Sequence, residues 1–212
     1  MLLALTDLLR CTNDHAESPL VARADVVEAR RLVAGVLGCP VCRAERTVAG
    51  GVVHWAASAP AAATPPDPRP DTTSDALMRV AALLGLAAAP SPYVLGGDAG
   101  LAAAGLVGLT DATLVLLDPP DDRAAALATV IRGAPRVPFG PRSIRGITLD
   151  VAWAADPSRI ASAVTALAAR GRLVAPAAAP VPAGVREVAR DAAQWVAERE
   201  ADVVPLQRSL PR

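Results

Sequence analysis

The stretch RGITLDVAWAADPSRIASAVTALAARGRLVAPA, residues 145–177, predicts the fold class of this chain. Its first part, RGITLDVAWA, is predicted as a strand, and DPSRIASAVTALAARG is predicted as the helix that follows. RLVAPA is then predicted as a second strand. Continuously apolar strands separated by a helix are typical of a parallel sheet covered on both faces.

The same alternation extends along the rest of the C-terminal region. PYVLGG and ATLVLLD are predicted as strands, and SDALMRVAALLGLA and AGLAAAGLVGL as helices, the first capped by Ser74 or Asp75. PPDDRAAALATVIRG is predicted as a helix with prolines at its start. VREVARDAAQWVAERE is predicted as a last helix and ADVVPLQ as a final strand. We therefore predict an α/β domain with parallel strands near residues 92–96, 113–117, 146–151 and 172–175.

A proline-rich stretch divides the chain. SAPAAATPPDPRPDTTSD holds five prolines and no hydrophobic period, which predicts an extended linker. The predicted organisation is an N-terminal domain over residues 1–57, a linker over residues 58–74 and an α/β domain over residues 75–212. A domain as small as the first rarely folds on its apolar core alone, which favours a structural metal.

Two short clusters, CTNDH and LGCPVCRAE, hold four of the five cysteines and histidines of the chain. Three cysteines cannot all pair in disulfides within one chain. Cys11, His15, Cys39 and Cys42 instead supply three thiolates and one imidazole, a closed tetrahedral set for structural Zn²⁺. The alternative is buried thiols beside a surface histidine. His54, the remaining imidazole, is expected to be a solvated strand residue.

The elements around these clusters predict a zinc ribbon with a helical insertion. ADVVEARRLVAGVLG is predicted as a helix, because Asp25 and Glu28 form a capping-box pattern ahead of its apolar positions. RTVAGGVVHW is predicted as a hairpin with Gly50 and Gly51 in a primed turn. LTDLLRC is predicted as a short helix or turn.

Composition excludes several classes of function. Formal net charge is zero, all 21 basic residues are arginine and aromatic residues make up 2% of the chain. Such a chain has no basic excess and few rings for stacking on bases, so we expect no direct binding of nucleic acid. Absence of lysine excludes Schiff-base chemistry. We find no export signal and no apolar span, and free cysteines then predict a cytoplasmic protein away from the membrane.

The N-terminal residues resemble a known family. LLRCTNDH with LGCPVCRAERTVAGGVVHW, over residues 1–56, is similar to the small zinc-ribbon activator of tRNA, rRNA and release-factor methyltransferases. His15 replaces a cysteine of the commonest form. The resemblance implies a protein partner, with a methyltransferase as one candidate, and a ribbon that covers a face or edge of a methyltransferase sheet.

The C-terminal region resembles a second family. RVPFGPRSIRGITLD and ALAARGRLVAP are similar to the stretches around the fourth and fifth strands of class I S-adenosylmethionine-dependent methyltransferases. This resemblance implies a Rossmann-like sheet with a cofactor crevice at the carboxyl ends of its strands. It also implies that any binding pocket of this domain lies around Gly96 and Asp118.

The loop that would hold the cofactor departs from the family pattern. In YVLGGDAGLAAAG, Gly96 stands where the family has an acid, Asp98 where it has its first glycine, and Gly100 keeps its place. Asp118 either holds the ribose hydroxyls or caps the next helix. Asp150 is interpreted as structural. We therefore expect S-adenosylmethionine to bind weakly or not at all.

The combined prediction is a zinc-binding, methyltransferase-like accessory or scaffold protein that binds a protein partner. One alternative is an active S-adenosylmethionine-dependent methyltransferase with an unusual cofactor loop. A further alternative is a Rossmann-like domain for another nucleotide. Trp153 and Trp195 are expected in the core in each case.

Overall fold

The computed structural model describes residues 1–55, 73–86, 91–120 and 126–201. Eleven strands form one mixed sheet in the order β1-β2-β3-β4-β7-β6-β5-β8-β9-β11-β10. The strands are Val21–Glu28 (β1), Arg31–Gly38 (β2), Glu45–Ala49 (β3), Val52–His54 (β4), Tyr93–Gly96 (β5), Leu114–Leu117 (β6), Thr129–Arg132 (β7), Ile144–Thr148 (β8), Leu167–Pro176 (β9), Val185–Arg190 (β10) and Gln194–Arg199 (β11).

The centre of the sheet is parallel, as predicted. β6 and β8 flank β5 in parallel, β7 pairs with β6, and β9 pairs with β8. The outer strands are antiparallel: β1 to β4 form a meander on one side, and β9, β11 and β10 follow on the other. The prediction of a mostly parallel sheet therefore holds for the core.

Both faces of the parallel strands are buried, because their residues alternate between two apolar clusters. Tyr93 and Leu95 of β5 face one cluster, whereas Val94 between them faces the other. β6 repeats this alternation. A strand covered on both faces is apolar at every position, which is the pattern that predicted it.

Helices cover the sheet on both sides. They are Ser74–Leu84 (α1), Ala103–Leu109 (α2), Val151–Ala154 (α3) and Pro157–Ala166 (α4), with 3₁₀ turns at Leu3–Leu8 and Gly97–Ala102. Thr73 caps α1, in place of the predicted Ser74 or Asp75, since its side chain accepts a hydrogen bond from Ala76 N. Trp153 and Trp195 are fully buried, as expected.

The predicted helix over residues 24–38 is wrong. These residues form the antiparallel hairpin β1–β2, in which Glu28 pairs with Arg31 around a two-residue turn. Ala29 and Arg30 both have positive φ, at 44° and 64°, as a primed hairpin turn requires. The spacing of the valines in this segment is compatible with either a helix or a strand. Because β2 pairs with β3, the segment forms a strand.

The predicted last helix over residues 185–200 is also wrong. It is the hairpin β10–β11, turned by Asp191, whose carboxylate accepts hydrogen bonds from Ala193 N and Gln194 N. Trp195, Val196 and Ala197 are buried consecutively. Three consecutive buried residues fit a strand covered on both faces and not a surface helix.

Three other boundaries differ from prediction. In the predicted helix over residues 119–133, residues 129–132 are strand β7, and residues 121–125 lie outside the described ranges. The predicted strand over residues 145–154 ends at Thr148, and α3 follows it. The helix predicted to reach residue 171 ends at Ala166, where β9 begins. Most of the predicted linker and the predicted strand ADVVPLQ lie outside the described residues.

The N-terminal hairpins are part of the same sheet as the α/β region. β4 pairs in parallel with β7 through Val52–Val130, Val53–Ile131 and His54–Arg132. Gly50 and Gly51 form the predicted primed turn before β4, with φ of 57° and 80°. This pairing places the N-terminal meander β1–β4 along one edge of the parallel strands, and the predicted domain boundaries stay a prediction.

Candidate metal centre and sheet-edge crevice

The four predicted metal ligands come together in the structure. Cys11 and His15 lie in the loop after the first 3₁₀ turn, and Cys39 and Cys42 lie in the connection between β2 and β3. One ligand atom from each residue lies within 4.8 Å of the other three. The Sγ atoms of Cys11 and Cys42 are 3.7 Å apart, and Cys39 Sγ is 3.4 Å from His15 Nε2.

This spacing fits a tetrahedral metal ion. With metal–sulfur bonds of about 2.3 Å, two sulfurs at a tetrahedral angle lie about 3.8 Å apart. The distance between the Cys11 and Cys42 sulfurs, 3.7 Å, agrees with that value. Three thiolates and one imidazole are the donors that Zn²⁺ prefers, and four protein ligands leave no open position for catalysis.

The turn at Cys39 prepares its sulfur for a metal. Arg43 N donates to Cys39 O and Cys39 N donates to Ala44 O, each at 2.9 Å. Burial acts to raise the pKa of the Cys39 thiol, but hydrogen bonds from the backbone N–H groups of Cys42 and Val41 outweigh it, and the pKa falls to about 6. The turn therefore favours the thiolate, the form that binds metal.

His15 presents one defined nitrogen to the site. Its Nδ1 lies 2.6 Å from Ala16 O, and because a carbonyl only accepts, Nδ1 carries the hydrogen. The Nε2 lone pair is then left for a metal. An orienting bond of this kind is the usual second interaction of a metal-binding histidine.

A polar chain supports the exposed ligand Cys42. Asn13 Nδ2 lies 3.3 Å from Cys42 Sγ, and Arg46 Nη2 donates to Asn13 Oδ1 at 3.1 Å. The Arg46 guanidinium lies over the ring of Trp55, 5.4 Å from its centroid. Trp55 Nε1 in turn donates to Thr12 Oγ1 at 2.7 Å. The roles of Asn13 and Arg46 were not predicted, although Asn13 lies inside the first cluster.

The predicted cofactor loop lies at the carboxyl end of β5, beside the end of β6. Its turn is made by Gly97, with φ of 61°, a residue that the prediction did not single out. The carboxylate of Asp150 lies directly against this turn, accepting from Asp98 N at 3.1 Å and from Trp153 N at 2.8 Å. Asp150 is thus structural, as interpreted, and caps α3.

Side chains of the protein itself pack against the three glycines of this loop. A β-carbon at Gly97 would lie 1.7 Å from Asp150 Oδ2, and one at Gly96 would lie 3.2 Å from Leu149 Cδ2. One at Gly100 would lie 3.0 Å from Pro119 Cβ. The space that the missing β-carbons leave at these glycines is occupied by Asp150, Leu149 and Pro119.

Asp118 ends β6 in a left-handed conformation, with φ of 48°. Its Oδ1 accepts from Gly133 N at 2.6 Å, which ties the end of β6 to the end of β7. Burial raises the pKa of this carboxyl, and the Gly133 hydrogen bond opposes the rise. Gly96 and Asp118 lie at the same end of two adjacent parallel strands, as predicted.

Two cavities lie away from this crevice. One of about 340 Å³ is next to the metal ligands, between Val21, Val36 and Pro40. The other, of about 240 Å³, lies at the amino ends of β8 and β9 and is lined by Leu84, Gly85, Arg145, Arg170, Arg172 and Glu198. The location of a binding pocket at Gly96 and Asp118 stays a prediction.

Comparison with known proteins finds similarity in structure alone. No family model matches the chain, and no curated protein matches it. A methyltransferase from Aquifex aeolicus that depends on S-adenosylmethionine matches with a TM-score of 0.44 and 12% identity, over 63% of this chain and 93% of that one. A protein from Methanococcus maripaludis assigned the same activity matches with a TM-score of 0.45 and 8% identity, over 61% and 85%.

Geranyl diphosphate C-methyltransferase from Streptomyces coelicolor, solved with S-adenosyl-L-homocysteine, matches with a TM-score of 0.39 and 15% identity. The match covers 48% of this chain and 43% of the length of that enzyme. These neighbours are methyltransferases, whereas the resemblance of residues 1–56 to the activator family stays a prediction. Among the described residues, no helix is long and apolar enough to cross a membrane.

Proposed function

We propose that this chain is a zinc-stabilised accessory protein with a methyltransferase-like fold that binds a protein partner and does not transfer methyl groups. The observation that carries the proposal is the Asp150 carboxylate in the turn at Gly97. Asp150 accepts the Asp98 N–H and caps α3 at the same time. The loop that would receive a cofactor is satisfied by the protein itself.

Displacing the Asp150 carboxylate from the turn at Gly97 would cost free energy. A ligand that displaced Asp150 would break two hydrogen bonds to a carboxylate, each contributing about 1.5–3 kcal/mol. It would also have to supply a new partner for Trp153 N, whose hydrogen bond is partly buried. Gly96 adds no acid that could hold the amino end of S-adenosylmethionine.

The metal in this proposal is one Zn²⁺ per chain, held by Cys11, His15, Cys39 and Cys42. The ion would cross-link two loops. It would have no catalytic role, because the four protein ligands complete its coordination. The loop carrying Cys11 is joined to the α/β region as well: Arg10 N donates to Pro138 O at 3.0 Å and Gly140 N to Leu8 O at 2.8 Å. The ribbon thereby covers an edge of its own chain's sheet.

A partner surface is available on the ribbon. Val21, Val26, Val27 and Val41 are between 42% and 61% exposed, and all lie on β1 or next to the metal ligands. Val21 lies at the end of β1 next to Cys39, and Val26 and Val27 lie at its other end, beside the hairpin turn. We propose this valine surface as the site at which the partner binds, with a methyltransferase as the first candidate for that partner.

Calorimetry with S-adenosylhomocysteine tests the proposal. Wild-type protein is expected to show no binding tighter than the millimolar range, with zinc analysis of the same sample giving one ion per chain. The control is the Asp150→Ser variant, whose hydroxyl can still cap α3 but leaves the turn at Gly97 free of the carboxylate. A low-micromolar dissociation constant for the wild type would establish the alternative, an active methyltransferase.

One observation favours that alternative. Asp118 ends β6 beside the loop, and only its Oδ1 atom is used by Gly133. Oδ2 would then be able to accept from a ribose hydroxyl. If S-adenosylhomocysteine binds, Asp118→Ala should weaken it by about tenfold or more, as expected for loss of a charge-assisted hydrogen bond.

A further inference from the structure

The cavity at the amino ends of β8 and β9 lies at the opposite end of the sheet from the cofactor crevice. Arg145 comes from β8, Arg170 and Arg172 from β9, and Glu198 from the end of β11. Leu84 and Gly85, at the C-terminus of α1, complete the lining. Four elements distant in sequence thus bring three guanidinium groups and one carboxylate around one space of about 240 Å³.

Arg172 has a structural partner in this cavity. Its Nη1 donates to Ala82 O at 2.9 Å and to Leu83 O at 3.3 Å, the carbonyls at the end of α1. Carbonyls at a helix C-terminus carry partial negative charge, which would repel an anion. Arg172 offsets that charge, so the helix end does not oppose an anion in the cavity.

Arg145 and Arg170 have no such partner. Within residues 1–55, 73–86, 91–120 and 126–201, their guanidinium groups form no hydrogen bond or ion pair. Arg170 is moreover held with φ of 60°, a conformation uncommon for a residue with a β-carbon. Both residues are exposed, so their guanidinium groups are open to a ligand from solution.

The charge and size of the cavity define the ligand. Three guanidinium groups and one carboxylate give a net charge of about +2, and arginine forks match the oxygens of phosphate. A volume of about 240 Å³ is below the 300–1,000 Å³ usual for drug-sized ligands, which favours a small ligand. We propose that this cavity binds a small phosphate-bearing anion between Arg145 and Arg170.

The probes are inorganic phosphate and glycerol phosphate, titrated into the full-length protein by calorimetry and by thermal unfolding. Ionic strength is held constant with chloride, because a general salt effect would otherwise imitate binding. We expect saturable binding and a Tm that rises with phosphate concentration. Tighter binding of glycerol phosphate would identify a phosphate ester as the ligand, and tighter binding of phosphate would identify the free ion.

The test variant is Arg145→Gln with Arg170→Asn, since asparagine tolerates the left-handed conformation at position 170. We expect it to weaken phosphate binding by at least about tenfold. Glu198→Gln removes the one acid of the cavity and should tighten binding. Arg23→Gln with Arg186→Gln is the matched control: it removes the same charge from exposed residues of the two edge strands and should leave phosphate binding unchanged.

Two results would overturn the proposal. One is an equal loss of binding in the test and control variants, which would mean that phosphate responds to net charge alone. The other is a response to the polyanion heparin with none to either phosphate, which would assign these arginines to a macromolecular surface. Circular dichroism of each variant establishes that it is folded, and Arg145→Gln alone serves if the double variant is not.

Discussion

Gly97 is the residue on which the cofactor loop depends, and it yields the sharpest prediction for a single substitution. Gly97→Ala should destabilise the protein by at least about 2 kcal/mol, because alanine resists positive φ and would displace the Asp150 carboxylate from two hydrogen bonds. Gly108→Ala is the control, since nothing lies within 4 Å of a β-carbon there and alanine favours the helix. Urea unfolding of both variants measures the difference, and equal stabilities would contradict the described loop.

Asp118 is a second residue whose chemistry can be tested. Burial raises its pKa in the folded state, so the fold disfavours the charged carboxylate and loses stability as pH rises through that pKa. The Asp118→Asn substitution keeps an acceptor for Gly133 N and suits the left-handed backbone. We expect the variant to have the higher Tm at pH 7, with the difference shrinking as pH falls through the raised pKa and absent below the ordinary aspartate pKa of about 4. Thermal unfolding between pH 3 and pH 8 checks the sign.

Among the elements, the two loops of the metal centre should respond most to loss of metal. Chelation removes the link between Cys11 and His15 on one loop and Cys39 and Cys42 on the other. Hydrogen exchange should rise most over residues 11–16 and 39–44 and little in the parallel strands. Cys39→Ser treated with the same chelator is the control and should show no further change. Uniform exchange across the chain would contradict a structural role confined to these loops.

Elements differed in how far sequence could predict them. β5 and β6 were predicted because every residue of a doubly covered strand is apolar, and β8 and β9 from the shorter buried runs at 146–148 and 173–175. The hairpins β1–β2 and β10–β11 were predicted as helices, because strand pairing with distant residues, and not local spacing, decides their structure. The clustering of Cys11, His15, Cys39 and Cys42 was predictable from their spacing. The contact of Asp150 with Gly97 was not, since it joins residues that only the fold brings together.

For the whole molecule, we predict a single cooperative unfolding transition. One apolar cluster contains Leu9, Leu37 and Val53 of the N-terminal region together with Ile131, Phe139 and Leu173 of the α/β region. Residues that share a core lose its stabilisation together. Tryptophan fluorescence and far-ultraviolet circular dichroism should therefore give the same urea midpoint, since Trp55 reports on the N-terminal region and Trp153 and Trp195 report on the α/β region. Separate midpoints would show that residues 1–57 unfold independently.

The register irregularities of the two outermost strands affect how readily the protein aggregates at high concentration. β1 is irregular between Ala24 and Val27, and β10 between Glu187 and Ala189, whereas charged side chains occupy much of both strands. A bent, charged border is a poor template for another chain. Sheet growth from one molecule to the next is therefore blocked at both borders. The proposed valine surface can then bind a partner through its side chains, while the backbone of the edge strands does not pair with another chain.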